Sequence, residues 1–263
     1  LVNQSYFLAQ YLKENLIKMN RGLKLVTFDV FNTLIKTRGS VGSIYMKEIN
    51  SFLKTNQNIE TKEKNSVNTL NPHMVEKEFQ SVLKHFQSAY PNFGYGKISS
   101  RKYWDLIVQK TFKNLNCDFN DQFSQKLTAT LYDNFCLADY WEVFSDVIPA
   151  LTKLKSSKLK IGIISNFDER LPKVLERLEL ASYFDFFIIS GCCGLYKPEK
   201  HIYKLALNKA LCYPNECLHI GDDVSKDYDG PRSIGMNALI IDRTMKKSER
   251  PYINSLEDVL LFY

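Results

Sequence analysis

The sequence predicts an α/β fold, a doubly wound parallel sheet interrupted by an all-helical insertion, and three observations carry that prediction. Short apolar, β-branched runs recur at 159–164, 186–189, 217–220 and 238–241 with helical patterns between them. Parallel strands need such crossovers, because neighbouring ends lie at opposite edges of the sheet. Residues 23–34 (Leu-Lys-Leu-Val-Thr-Phe-Asp-Val-Phe-Asn-Thr-Leu) form a similar run that ends abruptly at Asp29 and a polar turn. Between these two regions, residues 38–140 show helical periodicity and no strand-like run, the pattern of an inserted helical domain.

In order along the chain, residues 1–18 are weakly amphipathic, lack arginine and contain Glu14. They read as an N-terminal extension rather than a mitochondrial presequence. The first strand follows, and then Ile44, Tyr45, Ile49 and Phe52 recur at helical spacing. The Asn- and Lys-rich stretch 54–71 reads as a surface loop ending at Asn71-Pro72, where proline suits the first turn of a new helix. Helical patterns cover 72–89, 100–115 and 121–137, broken by the aromatic, glycine-bearing segment Tyr90-Pro91-Asn92-Phe93-Gly94-Tyr95-Gly96. Such a loop could close over a pocket and select a substrate. Beyond residue 158 helices at 169–180, 199–212 and 227–235 separate the strands, giving five parallel strands in all. The predicted organisation is an extension (1–18), a core domain (19–37 and 141–263) and a helical cap (38–140).

Composition narrows the function. The net charge of +6 is spread along the chain with no long basic run, which favours a small anionic substrate over nucleic acid. No stretch approaches the roughly 20 apolar residues needed to span a bilayer, so no membrane partner is expected. Six cysteines form no CxxC pair, which points away from zinc ribbons and toward thiols in a reducing cytoplasm. The sequence leaves the oligomeric state open.

Polar clusters close four of the strands: Asp29, Ser165-Asn166, Lys197-Pro198 in the loop after the third run, and Gly221-Asp222-Asp223 with Asp227. An aspartate after a strand commonly only caps a turn. In a parallel sheet, however, these ends converge on the rim where ligands bind. Several carboxylates sharing one site disfavour each other's ionisation, and a divalent cation resolves that conflict.

In order and spacing, Phe28-Asp29-Val30-Phe31-Asn32-Thr33-Leu34, Ile164-Ser165-Asn166, Lys197-Pro198 and Gly221-Asp222 with Asp227 resemble the four motifs of the haloacid dehalogenase-like hydrolase superfamily. The resemblance implies a Rossmann-like core with an inserted α-helical cap. It also implies a Mg²⁺-dependent phosphatase in which Asp29 is the nucleophile, forming an aspartyl-phosphate. Thr33 and Ser165 would hold phosphate oxygens, Lys197 would neutralise charge, and Asn32 and Asn166 would contact the substrate. Mg²⁺ would be held by Asp29, Asp222 and the backbone carbonyl of Phe31, with Asp227 orienting a ligand water. Asp223 reads equally as part of this cluster or as the cap of the next helix.

One departure limits the resemblance. Phosphatases of this superfamily usually carry a second aspartate two residues after the nucleophile, and here Phe31 stands there. A general acid and base is worth about 10² to 10⁴ in rate, so turnover of alkyl esters should be slow. The aromatic residue and Ser165-Asn166 are also similar to true haloacid dehalogenases, which use no metal. The acids at Gly221-Asp222-Asp223 favour the phosphatase. A metal-binding protein with weak catalysis that recognises a partner is the third reading. Elsewhere, His201 reads as a helix-start residue and His219 as a satisfied core histidine. Tyr103, Trp104, Phe112, Tyr140 and Trp141 read as packing.

Overall fold

The computed structural model describes residues 22–55, 61–117, 119–243 and 252–260. The expected extension at 1–18 lies outside them. The chain divides into two compact units, a sheet unit drawn from residues 1–36, 143–167 and 178–263, and a helical unit drawn from 37–142 and 168–177.

The strands are β1 (Leu25–Phe28), β2 (Ile35–Thr37), β3 (Trp141–Val143), β4 (Lys160–Ser165), β5 (Phe186–Ile189), β6 (Cys217–Gly221), β7 (Asn237–Ile241) and β8 (Tyr252–Ile253). Six of them form a parallel sheet in the order β5-β4-β1-β6-β7-β8. The central strand β1 is fully buried, as a parallel strand covered on both faces should be, which explains its unbroken apolar run. Phe28 pairs in register with Ile163 of β4 and Ile220 of β6, so the polar residues that follow all three strands emerge at one edge. The sixth strand, β8, and the separate two-stranded sheet of β2 and β3 were not expected. At two or three residues each, they are too short to show any alternation.

The longer helices of the helical unit are α1 (Val41–Thr55), α2 (Thr61–Asn68), α3 (Pro72–Ala89), α4 (Ser100–Asn114) and α5 (Asp121–Asn134). Three of them begin at a side-chain cap: Asn71, Ser99 and Asn120 accept from the backbone N–H groups of Met74, Lys102 and Phe123 at 3.0, 3.1 and 2.9 Å. Such caps satisfy donors that the first turn leaves without partners. Their apolar faces meet around Tyr45, whose ring lies 5.5 Å from Phe79 and 6.3 Å from Phe112. Helix α2 corrects the expected loop at 54–71. Its sequence is polar throughout apart from the buried Val67, so no apolar stripe betrays it.

The aromatic segment after α3 is also a correction. Tyr90 stacks on Phe86 at 5.9 Å and Phe93 meets Tyr103 edge-on at 5.7 Å, so both rings belong to the helical unit's own core. Tyr95 stays exposed. Tyr103, Phe112, Tyr140 and Trp141 are buried, in keeping with a packing role.

Further helices include α6 (Val147–Ser156), α7 (Leu171–Arg177) and α8 (Lys200–Ala210). Residues 168–177 group with the helical unit because a polar network holds them there. The Trp104 indole donates to Asp168 at 2.7 Å, and Arg170 forks onto Asp168 while its guanidinium lies 4.0 Å from the Tyr132 ring. Among the described residues no helix is long and apolar enough to cross a membrane.

Candidate active site

The site is built on the turns that leave β1 and β6. Asp29 still donates its backbone N–H to Ile220 at 2.8 Å, so the sheet fixes its backbone. The chain then folds back, with the N–H groups of Leu34 and Ile35 both donating to the Val30 carbonyl at 2.8 and 3.1 Å. Asn32 takes a left-handed conformation at φ 57°, which asparagine tolerates better than most residues, and its side chain favours the ionised form of Asp222. The Thr33 hydroxyl is buried inside this turn with no hydrogen-bond partner among the described residues, an arrangement that suits a ligand oxygen.

Lys197 occupies the centre. Its side chain is 1% exposed, and its ammonium donates to Asp29 Oδ1 and Asp227 Oδ1, each at 2.6 Å. Asn166 clamps the lysine's backbone: its carboxamide oxygen accepts from Lys197 N at 2.7 Å and its amide donates to Lys197 O at 2.8 Å. That contact gives Asn166 a positioning role in addition to the substrate contact expected of it. The Lys197-Pro198 peptide is cis. Ser165 ends β4 and is almost wholly buried.

After β6 the chain makes one wide helical turn, Val224–Asp229, that runs into a short helix, Gly230–Arg232, so the helix expected at 227–235 is present but begins and ends earlier. Asp223 opens that turn by accepting from Lys226 N at 2.9 Å and pairing with the Lys226 ammonium at 2.7 Å, which is the capping reading of this residue. The turn swings Asp227 back over Gly221. A Cβ on Gly221 would come within 2.2 Å of the Asp227 carboxyl carbon, so only glycine fits there. Asp227 Oδ2 accepts from Asp223 N at 3.0 Å, and Oδ1 accepts from Lys197 and from His219 Nε2, the latter at 3.0 Å.

The electrostatics are lopsided. Burial pushes the Asp29 carboxyl above its ordinary range, and the Asp227 charge adds to this while Lys197 opposes it. Burial together with the charges of Asp29 and Asp227 pushes Asp222 up to about 7. Asp227 goes the other way. Burial would raise it too, but Lys197 and His219 hold it well below the carboxylate range. Lys197 is thus matched mainly by Asp227 and offsets the charge of Asp29 only in part, while no cation among the described residues pairs with Asp222. One oxygen from each of Asp29, Asp222 and Asp227 falls within 4.8 Å of the others, the one such cluster among the described residues. Hard carboxylate oxygens of this kind suit a small divalent cation. Asp29 and Asp222 are the natural ligands, since protein donors already engage both Asp227 oxygens.

The structure brings together Asp29, Lys197, Asp222 and Asp227, with Thr33 and Asn32 in the adjoining turn. His201 lies exposed in the first turn of α8, as expected. Sequence reasoning missed the Asn166 clamp and the engagement of His219 with Asp227. The signal for the second was a histidine inside an apolar strand, because a fully buried imidazole needs a partner.

Known proteins bear on this site. A family model for haloacid dehalogenase-like hydrolases matches residues 23–235. Haloacid dehalogenase-like hydrolase domain-containing protein 3 of Danio rerio is 32% identical over 223 residues, 84% of this chain and 86% of that protein. The Xenopus laevis protein of the same name is 31% identical over 220 residues, 83% of this chain and 84% of its own. Among solved structures, the 2-haloacid dehalogenase of Pseudomonas syringae superposes with a TM-score of 0.65 at 19% identity, covering 91% of this chain and 97% of that one. A HAD phosphatase of Thermococcus onnurineus gives 0.58 at 22%, covering 90% and 96%. The magnesium-bound HAD-hydrolase YfnB of Bacillus subtilis gives 0.63 at 16%, covering 91% and 98%. At these identities the structural likeness speaks to fold alone.

Proposed function

Because the chain belongs to the haloacid dehalogenase-like hydrolases, we propose that it is a Mg²⁺-dependent phosphatase acting on a small phosphorylated metabolite in the cytoplasm. The observation that carries this reading is the charge imbalance: three clustered carboxylates face a single buried lysine, and Asp222 is pushed up to about 7 for want of a second cation. A dehalogenase that works without metal gains nothing from that cluster, which would repel the carboxylate of a haloacid.

In this reading Asp29 and Asp222, with the Phe31 carbonyl, would hold Mg²⁺, which when bound draws charge from the phosphate oxygens. The Asp29 carboxylate forms a bond to phosphorus as the bond from phosphorus to the leaving oxygen breaks. Water then attacks the aspartyl-phosphate, releasing inorganic phosphate and restoring Asp29. Lys197 offsets charge on the transferring group, and the Thr33 and Ser165 hydroxyls donate to its oxygens. The leaving oxygen receives no proton from position 31, where Phe31 is a hydrocarbon. Phosphates of acidic alcohols or phenols should therefore turn over best.

A panel of phosphorylated metabolites with and without Mg²⁺ tests the proposal, together with halide release from 2-chloropropionate. Phosphate release that needs Mg²⁺ supports it. Metal-independent halide release would install the dehalogenase in its place, and Mg²⁺ binding with neither activity would leave a binding protein. Phe31→Asp should raise turnover of alkyl phosphates, by up to about 10² to 10⁴ if the new acid is well placed. No gain with Mg²⁺ still bound would show that leaving-group protonation is not the limitation.

A further inference from the structure

His219 and Thr27 are polar residues at the same register on adjacent central strands, and both are completely buried. Apolar residues, Leu218 and Ile220, flank His219 in β6. A polar pair in the middle of a sheet costs free energy unless every donor and acceptor is used, and here they are. His219 Nε2 lies 3.0 Å from Asp227 Oδ1, and Nδ1 lies 2.9 Å from Thr27 Oγ1. An ionised carboxylate only accepts, so Nε2 carries the proton; Nδ1 then accepts, and the Thr27 hydroxyl donates to it. The Tyr203 ring meets the imidazole edge-on at 6.1 Å, and the Tyr203 hydroxyl is itself anchored to the Lys226 carbonyl. The ring therefore has one orientation and one tautomer.

The bonds converge on one oxygen. Thr27 donates to His219, His219 donates to Asp227 Oδ1, and the same oxygen accepts from Lys197, whose ammonium also reaches Asp29. We propose that His219, oriented by Thr27, is a positioning residue that fixes Asp227 Oδ1 and thereby holds the Lys197 ammonium against Asp29. A merely structural histidine would need a partner, but not one shared with the lysine of the site. Without the imidazole N–H, Oδ1 is left to Lys197 alone, only the Asp223 N–H on Oδ2 still holds the carboxylate, and the lysine's rest loosens. The kinetic consequence rests on the phosphatase reading above; the geometric claim does not.

Two variants and two kinds of readout test this. His219→Gln keeps a donor near the place of Nε2, and His219→Leu removes it. On an activated aryl phosphate with saturating Mg²⁺, His219→Leu should lower kcat by about 10- to 100-fold with little change in KM, and His219→Gln should recover most of the loss. Equal losses in both variants, or full kcat in His219→Leu, would overturn the proposal. Nitrogen NMR decides the geometry independently of turnover. Wild-type His219 should show a protonated Nε2 and a bare Nδ1, and the Lys197 ammonium signal should persist in His219→Gln while broadening in His219→Leu. The opposite tautomer, or a lysine signal indifferent to both substitutions, would overturn it. Should His219→Leu fail to fold, Thr27→Val, a near-isosteric change in the same strand, must loosen the histidine signal and lower kcat; no effect of Thr27→Val would overturn the proposal. If the wild type hydrolyses no phosphate at all, the phosphatase reading fails, and the nitrogen spectra still judge the positioning claim.

Discussion

At Asp29 the proposed chemistry needs charge, while the fold needs only shape, and Asn at this position separates the two. Asp29→Asn should lower turnover of an aryl phosphate by at least about a thousandfold, the scale seen when a nucleophile is removed. Its thermal midpoint should not fall, because one of three crowded carboxylates has become neutral. Retained turnover would remove Asp29 from the mechanism. Asp222 makes a different point. Its folded value of about 7 lies above the roughly 3.9 of an unfolded aspartate, so its ionisation opposes folding. Below about pH 4 the carboxyl is protonated in both states and carries no penalty; the penalty grows as pH rises and is complete above about 7. In EDTA, wild-type stability relative to Asp222→Asn should therefore fall across that window, and Mg²⁺ should reverse the loss. Parallel profiles for the two proteins would show that the crowding is not felt. The charged residues of this site were legible because a carboxylate or lysine at the end of an apolar run stands out. His219 was not, because its partner Thr27 is 192 positions away and a histidine inside a strand looks like packing until both nitrogens are traced.

Among elements, β1, β4, β5, β6 and β7 were readable since strands covered on both faces need continuous apolar runs, whereas α2, β2, β3 and β8 were not. These misses have one physical source: elements held by tertiary contacts carry little pattern of their own. The C-terminal part of the sheet unit shows how such contacts work. Asp146, at the entry to α6, accepts through Oδ2 from Arg243 at 2.6 Å, Leu256 N at 2.7 Å and Ser255 at 3.1 Å. Arg243 also donates to the Thr33 carbonyl at 2.6 Å, so one carboxylate ties the chain after β8 to the turn that follows β1. Burial would raise the Asp146 carboxyl, but the Arg243 contact and the backbone N–H of Leu256 hold it below its ordinary range. A depressed value means stability that is present above the unfolded value and is lost as pH falls through the folded one. Asp146→Asn should accordingly cost about 1 to 3 kcal/mol at pH 7, read from urea midpoints, and the gap to wild type should close in acid. A gap that persists at pH 2.5 would mean the loss comes from packing rather than from the charge.

At the scale of the whole molecule, the chain divides its labour. The described candidate ligands Asp29, Asp222 and Asp227, with Lys197, all belong to the sheet unit, while the helical unit has its own aromatic core around Tyr45 and its own buried polar network at Asp168 and Arg170. A ligand stabilises the state it binds in proportion to the logarithm of its concentration over Kd, by about 2.7 kcal/mol at a hundredfold excess. Mg²⁺ bound at the carboxylates should therefore slow exchange of backbone amides that open only when the sheet unit unfolds. Those of β1 and β6 are the clearest reporters, because they are the buried central strands that carry Asp29 and Asp222. Amides of α3 and α4 should keep their metal-free rates, since their protection comes from a separate core. Hydrogen exchange followed by mass spectrometry with Mg²⁺ or EDTA measures both sets at once. Slowing confined to β1 and β6 would fit a metal held by these carboxylates and two units that open independently. Equal slowing in α3 and α4 would mean that the units unfold as one cooperative body, and no slowing in β1 would take the metal away from Asp29.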